Sequence, residues 1–268
     1  MKSIMIQGTA SGVGKTVLTL ALCRIFKQDG CKVSPFKAQN MTTNTCLLDS
    51  GDEIAVSQWL QAMAAGVKPK KDMNPIVIKP MTHKSVAPAN NPTNIPAKPA
   101  AKLSLIMSAY DQLRADFELI VIEGAGSPVE LNLNKNDVIN IGLAARIKSP
   151  VILVSDIDRG GIFAALYGTI NLMGGSEREL VKATIVNRFR GETALFSDGV
   201  KILENITKLP VAGVVPFFDV GLPEEDSLFS GEIGFETERD YEQQFDRAAD
   251  IVRQALDMRL IYKILNGA

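Results

Sequence analysis

GTASGVGKT, residues 8–16, stands between an apolar run at residues 4–6 and a run in which Val17, Leu18, Leu20, Ala21, Leu22, Ile25 and Phe26 repeat at helical spacing. A strand, a glycine-rich turn and an amphipathic helix in that order make a βα unit whose turn faces a ligand. Gly8, Gly12 and Gly14 let backbone N–H groups curl around phosphate oxygens, with Thr9 and Val13 completing the loop. The helix N-terminus adds partial positive charge, Lys15 reaches the outer phosphates, and the Thr16 hydroxyl is suited to magnesium. The stretch departs from G-x-x-x-x-G-K-[ST], because Thr9 occupies the place of the first glycine and Gly8 lies one residue upstream. The expected ligands are therefore a nucleoside triphosphate and Mg2+, held on a loop one residue longer than usual.

Working outward, short apolar runs recur at residues 33–36, 76–78, 119–122, 151–154, 183–186 and 211–214, most of them separated by helical patterns. Near-continuous apolar strands alternating with helices predict an α/β fold, a mostly parallel sheet covered on both faces, with ligands at the carboxyl ends of its strands. Residues 81–102, with four prolines and three asparagines and no apolar period, read as a long loop inside a single domain spanning residues 1–268. They include His83, the one histidine of the chain, which reads as a solvated loop residue. Tyr241, Phe245, Ala248, Ala249, Val252 and Leu256 predict one closing amphipathic helix toward the end of the chain.

The 268 residues are 46% apolar and 22% charged, enough for a full core, and the net charge of -1 gives no polyelectrolyte signal for nucleic acid or an anionic membrane. Cys23, Cys31 and Cys46 have no metal-like spacing and read as structural thiols. No apolar run approaches the roughly 20 residues of a membrane span, and Met1 leads almost directly into the first strand. The expectation is a cytoplasmic protein.

The strand ends carry the remaining chemistry. PFKAQN puts Lys37 on the rim of the phosphate loop, where a second cation can meet the γ-phosphate and an anionic acceptor; a solvated strand-end lysine is the bland alternative. Glu123 follows four apolar residues, as the acidic group of a Walker B-like element does, and with Thr16 offers hard oxygen to magnesium. Ser127, Glu130 and Asn132 lie just beyond it. DIDRGG supplies Asp156, Asp158 and Arg159, read either as an acceptor and phosphoryl clamp or as an Asp–Arg turn network. Asn187, after residues 183–186, has an amide that can pair with an adenine edge, and Pro216 is placed to wall the same pocket.

Taken together, GTASGVGKT, PFKAQNM, MNPIVIKP, EGAGSPVELNL, DIDRGGIF, VNRFRG and LPEEDS resemble, in the same order, the synthetase domain of cobyric acid synthases. The wider group includes dethiobiotin synthetase, so the resemblance implies a dethiobiotin synthetase-like P-loop fold. It also implies an ATP-dependent amide ligase acting on a corrinoid, adenosylcobyrinic acid a,c-diamide, through acyl phosphates. Catalytic roles then fall to Lys37, Asp158 and Arg159, and acceptor contacts to Gln39, Asn40, Ser127, Glu130 and Asn132. Glu53, in DEIAVSQWLQAMAAG, aligns with an acidic family position and joins Thr16 and Glu123 as a magnesium candidate. Family members continue into a glutamine amidotransferase domain, and this chain ends where that domain would begin. The expectation is free ammonia, or a separate glutaminase subunit or domain, as nitrogen source, with room for a homodimer. Two alternatives stay open. One is a related tetrapyrrole amidase such as cobyrinic acid a,c-diamide synthase. The other is a partition-type P-loop ATPase, whose signature lysine would stand where this chain has Ala10.

Overall fold

The computed structural model describes residues 2–79, 99–132, 137–219 and 238–267. In chain order the elements are β1 (Lys2–Gly8), α1 (Lys15–Gln28), β2 (Val33–Phe36), β3 (Gln39–Met41), β4 (Thr45–Leu47), β5 (Glu53–Ala55), α2 (Val56–Ala64), β6 (Ile76–Ile78) and α3 (Pro99–Asp116). They continue with β7 (Leu119–Glu123), α4 (Ile141–Ile147), β8 (Val151–Asp156), α5 (Ile162–Leu172), α6 (Gly175–Arg178), β9 (Val181–Phe189), α7 (Ser197–Thr207), β10 (Val211–Pro216), α8 (Glu238–Ala255) and α9 (Met258–Leu265).

Six strands form one parallel sheet in the order β10-β9-β8-β1-β7-β2. Alternation along each strand splits its side chains between two cores. Ile4, Ile6, Val121, Ile152 and Val154 pack with α1, α8 and α9 on one face. Met5, Ile120, Ile122, Val151 and Leu153 pack with α3, α4, α5 and α7 on the other. The expected two-sided parallel α/β sheet of a P-loop NTPase is therefore what the chain forms. The chain builds β2 and β7 to one side of β1 and then β8, β9 and β10 to the other. The carboxyl end of β1 thus lies at a switch in strand order, where such sheets bind ligands.

Three expectations change. Residues 76–78 do form a strand, but β6 pairs with β3 in a separate two-stranded sheet and lies outside the central one. Asn74 holds this arrangement, its amide donating to the Lys37 carbonyl at 2.9 Å while its oxygen accepts from the Ala55 N–H at 3.3 Å. The long loop read at 81–102 ends early: residues 99–102 are the first turn of α3, and Pro99 opens it, where its fixed φ and missing N–H cost nothing. Residues 81–98, His83 among them, and the LPEEDS segment lie outside the described residues. The single closing helix is two. Leu256 makes an antiparallel bridge to Gly213, the Asp257 N–H donates to the Ala212 carbonyl at 2.7 Å, and the Asp257 carboxylate accepts from Leu260 N at 3.1 Å to cap α9.

Candidate active site

The phosphate loop closes on itself as its glycines require. Gly12 and Gly14 have φ of 70° and 93°, the left-handed region open to glycine. A side chain on Gly8 would sit 2.6 Å from Val13 and 2.9 Å from the Lys15 ammonium. Lys15 is buried and its Nζ donates to the Ala10 carbonyl at 3.0 Å, folding the lysine back over the loop. Thr9 Oγ1 and Ser155 Oγ lie within hydrogen-bond distance at 3.0 Å, tying the loop to the end of β8. From β9 the Asn187 amide donates to the Val13 carbonyl at 2.8 Å. The proposed base-reading residue thus braces the phosphate loop here.

The centre of the site is Glu123, the last residue of β7 and 1% exposed. One carboxylate oxygen, Oε1, accepts from Thr16 Oγ1 at 2.8 Å and from Lys37 Nζ at 2.9 Å. The other, Oε2, accepts from the side-chain amides of Gln61, at 2.5 Å, and Gln58, at 3.3 Å. Burial pulls the Glu123 pKa up, but the Lys37 charge, followed by hydrogen bonds from Gln61, Lys37 and Thr16, holds it below the ordinary carboxylate value. The ion pair is almost wholly desolvated, with Lys37 and Glu123 side chains 2% and 0% exposed, so neither charge is tolerable without the other. Lys37 is therefore an enclosed partner of the Glu123 carboxylate, and the solvated-lysine alternative is excluded.

Asn40 is also buried, and its amide donates to Gln58 Oε1 at 2.8 Å and Ser57 Oγ at 3.1 Å, backing the carboxylate network. Glu53, at the start of β5, pairs with Lys79 at 2.6 Å. Beyond Glu123, Gly124 has no room for a side chain: a Cβ would lie 2.3 Å from the Gln7 amide. Gln7 donates to Asn140 Oδ1 at 3.0 Å, and Asn140 in turn accepts from Ala125 N and donates to Ala125 O, each at 2.7 Å, so this turn is pinned. Ser127 is buried behind it, while Glu130 and Asn132 are exposed on the surface.

On the β8 side, Asp156 accepts from Asp158 N at 2.7 Å and pairs with Arg188 at 3.2 Å and Arg159 at 3.7 Å. Asp158 makes a two-pronged pair with Arg190 at 2.6 and 3.0 Å, and this hydrogen bonding is the leading reason its pKa falls. Arg190 also lies 3.8 Å over the Phe217 ring, next to Pro216. Arg159 is 72% exposed, and its guanidinium would stand 3.4 Å from a side chain on Gly12, beside the phosphate loop. The cluster is an Asp–Arg network, and it also presents Arg159 to whatever occupies the loop.

Sequence reading missed Gln58, Gln61, Gln7, Asn140, Arg188 and Arg190. The signal that could have found the first three is a glutamine in an otherwise apolar buried segment, two of them three residues apart on one face of α2. Among the described residues no three His, Cys, Asp or Glu side chains cluster to hold a metal. Thr16 and Glu123 instead offer two hard oxygen donors in contact, and the buried Gln61 Oε1 has no hydrogen-bond partner among the described residues. Such a sparse set does not suit a metal enclosed by protein ligands. It fits magnesium, which keeps most of its waters and shares its remaining positions with phosphates.

The AAA domain family matches residues 2–221. A cobyric acid synthase from Clostridium acetobutylicum is 46% identical over 237 residues, 84% of this chain and 48% of that protein. One from Streptococcus sanguinis is 44% identical over 236 residues, 85% of this chain and 47% of that protein. The chain thus spans about half the length of the curated relatives it matches. Among solved structures, the signal recognition particle receptor FtsY from Elizabethkingia anophelis aligns with 91% of this chain and 65% of that chain, at 18% identity and a TM-score of 0.48.

Proposed function

The chain belongs to the AAA domain family, and on that premise we propose that it is an ATP-dependent ligase that converts corrin carboxylate side chains to carboxamides. The acceptor we assign is adenosylcobyrinic acid a,c-diamide, with four carboxylates amidated in turn. The observation that carries the reading is the buried Lys37–Glu123–Thr16 cluster beside the phosphate loop. Phosphoryl transfer needs charge placed around a phosphate and little else. Likeness to cobyric acid synthases over 84% of the chain supports the choice of acceptor.

In the first step an acceptor carboxylate oxygen attacks the γ-phosphorus of ATP, the bond to the β-phosphate oxygen breaks, and an acyl phosphate and ADP form. In the second the nitrogen lone pair of ammonia attacks the acyl carbon, inorganic phosphate leaves, and the nitrogen gives up a proton to yield the amide. Lys15 and the N–H groups of residues 12–16 hold the phosphates. Lys37 bridges the γ-phosphate and the incoming carboxylate, and Arg159 takes charge on the outer side. Asp158 and Asp156 set the arginines around it. Asn187 and Pro216 flank the base, and Gln39, Ser127, Glu130 and Asn132 are the acceptor-side groups, with Asn40 bracing them from behind. Magnesium, when bound, neutralises the β- and γ-phosphate oxygens. Thr16 and Glu123 are the residues that would hold it, with Glu53 a further proposed ligand.

The test is mass spectrometry of adenosylcobyrinic acid a,c-diamide incubated with the protein, ATP, magnesium and ammonium. Four successive losses of about one mass unit, each with one ADP formed, are expected. Amidation of cobyrinic acid in its place would make the chain an a,c-diamide synthase. ATP turnover that no corrinoid stimulates would remove the ligase reading.

A further inference from the structure

We propose that Gln61 is a positioning residue for the hydrated cation, its Nε2 fixing the Glu123 carboxylate and its Oε1 accepting a hydrogen bond from a cation-bound water. The inference rests on the ligase reading only in taking magnesium-ATP as the ligand.

Gln61 lies on the buried face of α2 and is 0% exposed. Its Nε2 stands between two acceptors, Glu123 Oε2 at 2.5 Å and the Thr16 carbonyl at 3.3 Å. Those contacts decide which way the amide points, because turning it over would set Oε1 against a carboxylate oxygen. The orientation leaves Oε1 buried with no donor among the described residues. A buried acceptor left without a donor is costly, and structures seldom keep one without a use.

The neighbours of this amide are the two residues best suited to magnesium. Thr16 Oγ1 donates its proton to Glu123 Oε1, which sets this hydroxyl and the carboxylate side by side. Water bound to a cation turns its protons outward and is a strengthened donor. A glutamine oxygen is the neutral acceptor that can take such a proton without bringing another charge into a space that already holds Glu123 and Lys37. Gln58 shares Oε2 more loosely, and its own Oε1 is already satisfied by Asn40 and Ser57. The orphaned acceptor singles out Gln61.

The test is titration calorimetry of ATP binding to the full chain, once with magnesium and once with a chelator in its place. It compares wild type with Gln61→Met, which keeps side-chain volume and loses both hydrogen-bonding atoms. The variant is expected to bind magnesium-ATP about tenfold more weakly, the size of one lost hydrogen bond to a charged group, while metal-free ATP binding stays within about twofold. A structural role would weaken both titrations alike, and that result would overturn the proposal, as would no change in either. Wild type that binds no ATP in either buffer would overturn the ligase reading and this inference together. Gln61→Asn, which keeps the amide but withdraws it by one methylene, carries the same pair of titrations if Gln61→Met does not fold.

Discussion

At the scale of single residues the site is governed by groups that cannot be removed one at a time. Lys37 and Glu123 are buried together, so Lys37→Met should leave a desolvated carboxylate unpaired and lower stability by about 3–5 kcal/mol, whatever it does to phosphoryl transfer. Adding Glu123→Gln should return much of that loss, because a neutral amide in the same place has no charge to desolvate. Urea unfolding of the single and double variants checks the pair, and a double variant no more stable than Lys37→Met would mean that Glu123 does not depend on its partner. Lys15 differs, since its ammonium folds back on the Ala10 carbonyl of its own loop. Lys15→Ala should therefore keep its melting temperature within a few degrees while ATP turnover is lost. Gly14 is constrained twice over, by a φ of 93° and by Asn187, whose amide nitrogen lies 2.1 Å from where a Cβ would stand. Gly14→Ala should weaken ATP binding at least tenfold and lower the melting temperature. Combining it with Asn187→Ala should recover part of the stability, because only the clash is relieved and the unfavourable φ remains.

At the scale of elements the tie between α1 and α8 holds one layer of the fold in place. Arg24, its side chain 8% exposed, donates to Asp246 and Glu242, each at 2.7 Å. The acids are 48% and 45% exposed and can rehydrate, so Arg24→Met should cost roughly 1–2 kcal/mol rather than the toll of a fully buried pair. The hydrogen bond from Arg24 is the leading cause that holds the Asp246 pKa below its ordinary value. A depressed carboxylate pKa adds stability above the unfolded value and loses it as pH falls through the folded one. The gap between wild type and Arg24→Met should therefore be full at neutral pH and narrow below about pH 4. Melting curves across that range read the sign directly, and a gap that widens in acid would contradict it. β1, α1, β2 and β7 were legible in the sequence because their apolar periods are long enough to separate strand from helix. β3, β4 and β5 were not, since three-residue strands in a polar connection carry no period, and β6 was found but assigned to the wrong sheet. The break between α8 and α9 was hidden because Leu256 keeps the helical spacing, and what stops the helix is a contact with Gly213, distant in the chain. The same contrast holds in the site. Lys15, Thr16, Lys37 and Glu123 could be found because each sits where a strand or phosphate loop ends. Gln61 reads as an ordinary helix residue until the fold sets its amide against Glu123 at the end of β7.

At the scale of the whole molecule, β1, β7 and β8 are neighbours, so the phosphate loop, Glu123 and the Asp156 cluster share one edge of the sheet. The three thiols have no part in that machinery. Cys23 is sealed inside α1, and burial, followed by the charge of Glu123, pushes its pKa far up. Cys31 is raised by burial and then by the nearby Glu118 and Asp29, and Cys46 by burial alone. Release of ammonia from glutamine by a cysteine needs a thiolate poised near neutral pH beside a base, which is the opposite setting. The chain supplied with magnesium-ATP and a corrin acceptor should accordingly form amide from ammonium, and should release no glutamate when glutamine replaces it. Iodoacetamide at neutral pH should leave the ammonium-dependent rate unchanged, since none of these thiols is activated and none is assigned to the reacting edge. Glutamate appearing in step with ADP from the pure chain would show a nucleophile that this arrangement does not provide. A rate with ammonium that falls as alkylation proceeds would place a thiol in the reaction after all.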